Sequence, residues 1–510
     1  MIWRIAAKEF LLNLMTFKFV VGTILCIVLV AIFVPVLAKD YQQRLQQYDQ
    51  RVADIEAKLR QVKAYWVLAP TVYRRPQVLS VFSQGMEKRL GDSARIDFGT
   101  IPQIDAGPAE VNPYMSIFPA FDVLLIFKIV MSALALLVAY DVVSREKEQG
   151  TLSLMLAHPI PRGHVLLGKL AAGSLTLAVP ATIAFIVGLL LLSSSRSAVL
   201  AGSDWARIAV MYIASLLFVL SMYNIGLLFS CLTRSSALAL VLGLFFWVLA
   251  VVVIPDGSAY LARRLQPAET VEARDEQIAA LEKQFDKDLS AGFDSISPGG
   301  MEHDAGGPFE PYGPIGGAFN YYPMLCTPAG FTHWIQRGQM EAALRMRYAD
   351  KFREAGRQYT DSQIRQATVA KRIGMISPTC LYDGAMTALA GTDLVDLESW
   401  AQSAATYRQT VIAYIRNKTD NLSSVSCYTQ STEEERIAFE KASDAERRTL
   451  SQTVERHTLP LNLEDLPRFE YSTDIGRSLR RAGIDLMLLV AFNVLFLALS
   501  FAAFQKYDVR

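Results

Sequence analysis

Residues 144–169 read SREKEQGTLSLMLAHPIPRGHVLLGK and stand between two long apolar runs. Arg145, Glu146, Lys147 and Glu148 open the stretch with alternating charge. Leu152, Met155 and Leu156 follow at i, i+3 and i+4, the spacing that gathers apolar side chains on one helix face. Pro159 and Pro161 stop that helix, because proline lacks the N–H and clashes with the turn before it. Taken alone, such a segment is either a plain interfacial loop or a short helix showing one face to a soluble partner. What flanks it decides the fold.

The run before the joint (118–142) and the run after it (166–192) are each long enough to cross a bilayer, which takes roughly 20 apolar residues. So are 16–38, 208–232, 237–254 and 483–504, which makes six spans. Residues 1–15 (MIWRIAAKEFLLNLM) set Arg4, Lys8 and Glu9 among large apolar side chains, as in an amphipathic helix lying along the inner membrane face. Val36-Leu37-Ala38 has the look of a leader-cleavage site, but the apolar core before it exceeds that of a leader, so the first span reads as an anchor. With 52% hydrophobic and 19% charged residues, the chain is too apolar for an ordinary soluble protein and too polar to lie wholly in a membrane. A net charge of +1 argues against nucleic acid as a partner.

Two polar regions remain, 39–117 and 255–482. Tyr41, Leu45, Tyr48, Val52, Ile55, Leu59, Val62 and Trp66 recur at alternating spacings of four and three, a heptad seam that needs a partner. Val271 to Leu289 carries a matching stripe and is the expected partner, in this chain or in a second copy. Helical patterns recur at Thr332 to Arg357, Asp393 to Arg416 and Glu433 to His457, with Leu394, Leu397, Ala401, Ala404, Tyr407, Val411 and Tyr414 on one face of the middle one. The expected fold is an all-α membrane protein: six transmembrane helices and a mainly helical extracytoplasmic domain built from the loops after spans one and five.

Basic residues near the spans place both termini, the 505–510 tail and the 143–165 loop on the cytoplasmic side of a bacterial-type inner membrane, although Arg477, Arg480 and Arg481 run against the rule. Asp122, Lys128, Asn224 and Asp485 fall in or beside spans, where a charge is costly and must be paired. Lys128 reads either as part of a substrate path or gating pair, or as a structural lysine that snorkels or forms an ion pair with Asp122 or Asp485. Cys326, Cys380 and Cys427 share the large polar region and permit one disulfide, whose pairing stays open. Glu302-His303-Asp304 is too sparse a group for a metal site, and the sequons at Asn417 and Asn421 match by a short pattern only.

The order Glu146, Glu148, Gly150-Thr151-Leu152, Pro159, Arg162 and Gly168-Lys169 resembles the loop between spans two and three of type-2 ABC exporter permeases. His158 and Pro161 depart from that family's usual residues. The resemblance implies that a separate ABC ATPase docks on this loop, that a second permease copy or homologue completes the pathway, and that ATP and magnesium are held by the partner. It gives this chain no catalytic residue, cofactor site or metal site. It assigns ATPase coupling to Glu146, Glu148, Gly150, Thr151, Leu152, Met155, Leu156, Pro159, Arg162, Gly168 and Lys169. Gly163 to Lys169 does match the front of a phosphate-binding loop, G-x-x-x-x-G-K. Leu170 replaces the Ser or Thr that would meet the metal, and no strand precedes it. Three functions follow: an ATP-driven exporter, a machine of the same build whose outer domain acts on an envelope partner without transport, and an ion-coupled secondary transporter. The last calls for internal repeats and broken helices, which the sequence does not clearly contain.

Overall fold

In hydrocarbon every backbone N–H and C=O must be satisfied within the chain, so long apolar runs become helices. The computed structural model describes residues 2–62, 65, 68–88, 91–96, 104–105, 122–156, 161–194, 200–296, 324–326, 328–418, 428–430, 441–443, 445–446 and 461–506. Among these, six helices are long and apolar enough to cross a membrane, and the protein is mainly helical.

Helix α1 (Ile2–Leu14) precedes α2 (Phe17–Leu59), which runs unbroken through Pro35. At 1.5 Å per residue α2 is about 65 Å long, so the first span and the heptad helix are one rod. Helix α3 (123–139) contains a widened turn at Phe127–Met131. Two short helices follow, α4 (Ser144–Glu148) and α5 (Thr151–Leu156), then α6 (Arg162–Ser193), α7 (Gly202–Leu232) and α8 (Ser236–Leu265). Helix α8 carries a second widened turn at Leu249–Val253. The polar region adds α9 (Val271–Asp294), α10 (Pro328–Gly374), α11 (Pro378–Ala390) and α12 (Leu394–Lys418), and α13 (Ile475–Gln505) closes the bundle. Helix α7 is central and packs on α3, α6, α8, α11 and α13.

Small strands complete the fold. β1 (Thr71–Tyr73), β2 (Ser93–Arg95) and β3 (Ile104–Asp105) form an antiparallel sheet in that order, with Val72 opposite Ala94 and Ala94 opposite Ile104. β4 (Met324–Cys326) pairs in parallel with β5 (Tyr428–Gln430). One core joins the two polar regions: Leu68, Val72, Ala94 and Ile96 from the first pack with Ala342, Leu397, Trp400, Ala404 and Val411 from the second. The expected stripe of α12 is therefore largely its buried face.

Within one chain the heptad seam has a different partner from Val271 to Leu289. Tyr41 and Leu45 pack toward Leu79, Val81 and Phe82. Arg44 binds Glu87 at 3.0 Å and Arg51 binds Asp92 at 3.1 Å. The segment just downstream covers the seam because it is tethered nearby and carries the complementary acids. Helix α9 packs along α10 instead, with Phe285 edge-on to Tyr348 at 5.3 Å.

Helix α11 is an element the apolar periodicity did not reveal. Ser377 caps it, Pro378 occupies its first turn and Gly391 ends it at φ +70°. Its side chains lie in the same core as the spans, and Tyr382 stacks on Phe218 of α7 at 4.5 Å. Beyond it, Gly85 (φ +50°) meets Thr392, where an added Cβ would lie 2.6 Å from the Thr392 carbonyl. Arg481 of α13 binds Asp393 at 3.0 Å and Asp396 at 2.8 Å. Burial and the neighbouring Asp396 push the Asp393 carboxyl up to about 6. Cys26, Cys231 and Cys380 are free thiols, whereas Cys427 and the side chain of Cys326 lie outside the described residues.

The two helix pairings are distinguishable by cross-linking. Phe285→Cys with Tyr348→Cys should form a disulfide within one chain under mild oxidation. Val52→Cys with Leu281→Cys should not, and an efficient intrachain bond there would contradict this packing.

Candidate functional site

The joint is built around one buried cation. Lys169 sits in the second turn of α6 with its side chain 2% exposed. Its Nζ donates to Glu146 Oε1 at 2.7 Å, to the Val142 carbonyl at 3.0 Å and to Glu9 Oε1 at 3.2 Å. Three pieces of chain meet there: α4, the end of the α3 span, and α1. Gly168 allows the close approach, since a Cβ at that position would lie 2.9 Å from Ile5 Cγ2. The Tyr223 hydroxyl of α7 donates to the Lys169 carbonyl at 3.0 Å, and its ring lies directly over Gly173.

The rest of α4 grips the turn between α7 and α8. Helix ends leave unpaired carbonyls at the C-terminus and unpaired N–H groups at the N-terminus. Lys147 donates to the Cys231 carbonyl and, at 2.9 Å, to that of Thr233, which covers the end of α7. Glu148 accepts from the Ser236 N–H at 2.7 Å and its hydroxyl at 2.8 Å, which caps the start of α8. Ser230 Oγ accepts from the N–H groups of Val143 and Ser144. Lys18 of α2 pairs with Asp141 at 2.9 Å, and Arg162 donates to the Gln505 carbonyl at the end of α13 at 2.8 Å.

Gly150 separates α4 from α5 at φ +67°, a conformation glycine adopts without strain. No atom lies within 4 Å of a Cβ placed there, so the site is open. Thr151 is exposed and its hydroxyl donates to the Glu146 carbonyl at 3.4 Å. Leu152 is fully buried and Met155 packs against the same core. Pro159 and the side chain of Leu156 lie outside the described residues. The result is a small platform: Leu152 and Met155 face inward, while Arg145 and 148–151 face solvent. The phosphate-loop resemblance ends here, because 163–169 are continuous helix and their lysine is buried and paired.

The membrane-level polar residues are held separately. Lys128, inside the widened turn of α3, pairs with Asp383 of α11 at 2.6 Å. That corrects the expected pairing with Asp122 or Asp485, and α11 is the reason: it inserts an acid the span reading did not contain. Asp122 instead caps α3, accepting from the N–H groups of Leu125 at 2.9 Å and Gln84 at 3.0 Å. Asp485, fully buried, pairs with Lys371 at the end of α10 at 3.0 Å. Asn224 donates to Asn493 Oδ1 at 2.9 Å, and Asn493 donates in turn to Ser221 Oγ at 2.8 Å. Among the described residues, no group of three His, Cys, Asp or Glu side chains gathers with metal-holding geometry, and 302–304 lie outside them. Sequence reasoning missed Glu9, Asp383, Lys371 and Asn493 as partners. Only Glu9 carried a signal, as an acid on an otherwise basic and apolar helix.

The sequence model of a family described as ABC-2 family transporter protein matches residues 3–509. The probable ABC transporter permease protein NosY of Pseudomonas aeruginosa is 34% identical over 154 residues, covering 27% of this chain and 53% of the relative. The protein of the same name from Stutzerimonas stutzeri is 47% identical over 55 residues, 11% of this chain and 20% of the relative. The chain thus spans about half the length of the first relative and a fifth of the second.

Two outcomes follow from the pairings. Lys169→Met strands two carboxylates and should cost on the order of 3 kcal/mol, whereas Glu9→Gln should cost about 1 kcal/mol; thermal unfolding in detergent measures both. For Lys128 and Asp383, a double-mutant cycle with Lys128→Met and Asp383→Asn should give a coupling on the order of 1–3 kcal/mol. A coupling near zero would separate the two residues.

Proposed function

The chain belongs to the ABC-2 family of transporter proteins and is a multi-pass membrane permease subunit of an ABC transporter, and from that premise we propose that it is the permease half of an ATP-driven exporter. A separate ATPase holds ATP and magnesium and docks on the platform at 148–151, on the cytoplasmic side with both termini. The single observation that carries this reading is the Lys169 node with its flanking caps. A displacement of α4 cannot stay local, because Glu146 is bonded to α6, Lys147 to the end of α7 and Glu148 to the start of α8. The chain's own work is mechanical: its residues transmit force and orient helices. A second permease copy or homologue completes the pathway, and the domain made by the two polar regions faces outward, where it guides substrate.

A second reading has its own support. Helix α11 is bonded both to the spans and to the domain beyond them, through Asp383, Tyr382 and the Thr392–Ser83 contact at 3.0 Å. The same ATP-driven motion could be delivered to that domain and through it to an envelope partner, with no substrate crossing.

Co-purification with a candidate ABC ATPase tests the reading. Gly150→Val forces a β-branched residue into the left-handed region at a cost of roughly 1–2 kcal/mol, which should weaken ATPase binding about tenfold. Failure of the unaltered chain to recruit any ATPase would overturn the proposal. Normal recruitment by Gly150→Val would move the docking surface elsewhere.

A further inference from the structure

On the flank of α1 turned away from Lys169, α1 and α6 enclose a cavity of about 580 Å³. Trp3, Phe10 and Leu11 form one wall, and Ala171, Leu175 and Ala178 of α6 form the other. No charged side chain lines it. Its volume falls among those of small-ligand sites, roughly 300–1,000 Å³. The hollow exists because α6 presents two alanines seven residues apart, on one helix face, where larger side chains would fill it.

We propose that this hollow holds one acyl chain of an anionic phospholipid whose headgroup sits on Arg4 and Lys8. Three observations converge on that occupant. The α6 wall begins about 14 Å along a membrane-spanning helix, so it lies at the depth of hydrocarbon. Arg4 and Lys8 are both exposed and four residues apart, so they share a face adjoining Leu11 at the rim. Basic side chains close to a membrane surface attract anionic lipid, each by about 1 kcal/mol. Trp3 and Leu11 stand 73% and 60% exposed at the mouth, and the amphipathic ring of tryptophan suits the level where chain meets headgroup. Seated there, the lipid fills the flank of α1 and presses it onto α6, on the side opposite the Glu9–Lys169 contact.

The full-length chain in phosphatidylcholine nanodiscs, doped with phosphatidylglycerol bearing brominated acyl chains, provides the test. The fluorescence lost in Trp3→Phe isolates the signal of Trp3. Brominated phosphatidylglycerol should quench that signal severalfold more than the same mole fraction of brominated phosphatidylcholine. Ala178→Phe fills the hollow and should remove the excess. Arg4→Gln combined with Lys8→Gln changes two exposed residues, should leave folding intact and should make the two lipids equivalent. Equal quenching by both lipids in the unaltered chain, or an excess that survives Ala178→Phe, would overturn the proposal. Disulfide formation between copies through Leu175→Cys would assign the hollow to a second copy instead.

Discussion

A lysine with almost no solvent contact must be compensated where it stands, since an isolated charge in a low-dielectric surrounding costs several kcal/mol. Lys169 satisfies that demand by drawing in two carboxylates and a carbonyl from three separate stretches of chain. The compensation is asymmetric. Loss of either glutamate leaves the cation with one acid, whereas loss of the lysine leaves two acids facing each other. The lysine is therefore the member that α1, α4 and α6 depend on. Gly168 and Gly173 on either side are small because Ile5 and Tyr223 occupy the space a side chain would take.

Capping supplies the second layer of order at this end. A helix ordinarily closes its ends with its own neighbours. Here the end of α7 and the start of α8 are closed by residues of α4, Lys147 on the carbonyls and Glu148 on the N–H groups. Each charge is also opposite in sign to the helix terminus it meets. The α7–α8 turn and α4 are consequently one rigid piece, and the platform at 148–151 is its exposed tip.

The reading of the sequence succeeded where a pattern is carried by many residues and failed where it is carried by few. The long apolar runs marked the membrane helices because hydrocarbon leaves them no other conformation. The Gly150, Glu146 and Lys169 positions were legible as one motif, but their geometry was not: nothing in the order of residues says that Glu9 lies against Lys169. The strands, two or three residues each, are too short for an alternating pattern to stand out. Helix α11 was hidden for a different reason. At thirteen residues it is too short to read as a span, and its half-buried face holds only Cys380, Asp383, Gly384 and Thr387, with a single charge to set it off from the apolar remainder. Its boundaries were written plainly by Ser377-Pro378 and Gly391, but caps identify a helix only once a helix is suspected. The wrong partner for Lys128 follows directly from that omission.

Helix α11 also explains how the two ends of the molecule are related. It touches both widened turns of the spans: Lys128 in the turn of α3 reaches Asp383, and Ser377 donates to the Ala250 carbonyl in the turn of α8 at 2.6 Å. Beside the two turns, Trp247 Nε1 donates to Ser132 Oγ at 2.8 Å. A widened turn frees backbone carbonyls from the regular ladder and interrupts a helix at one point. In α3 and α8 that point is where α11 takes hold. Helices α3 and α8 thus meet α4 at one end and α11 at the other. From α11 the chain passes through Gly391 and Thr392 into the core shared by the two polar regions, where Arg481 ties it back to α13. The path from platform to domain is therefore a series of packed and hydrogen-bonded elements.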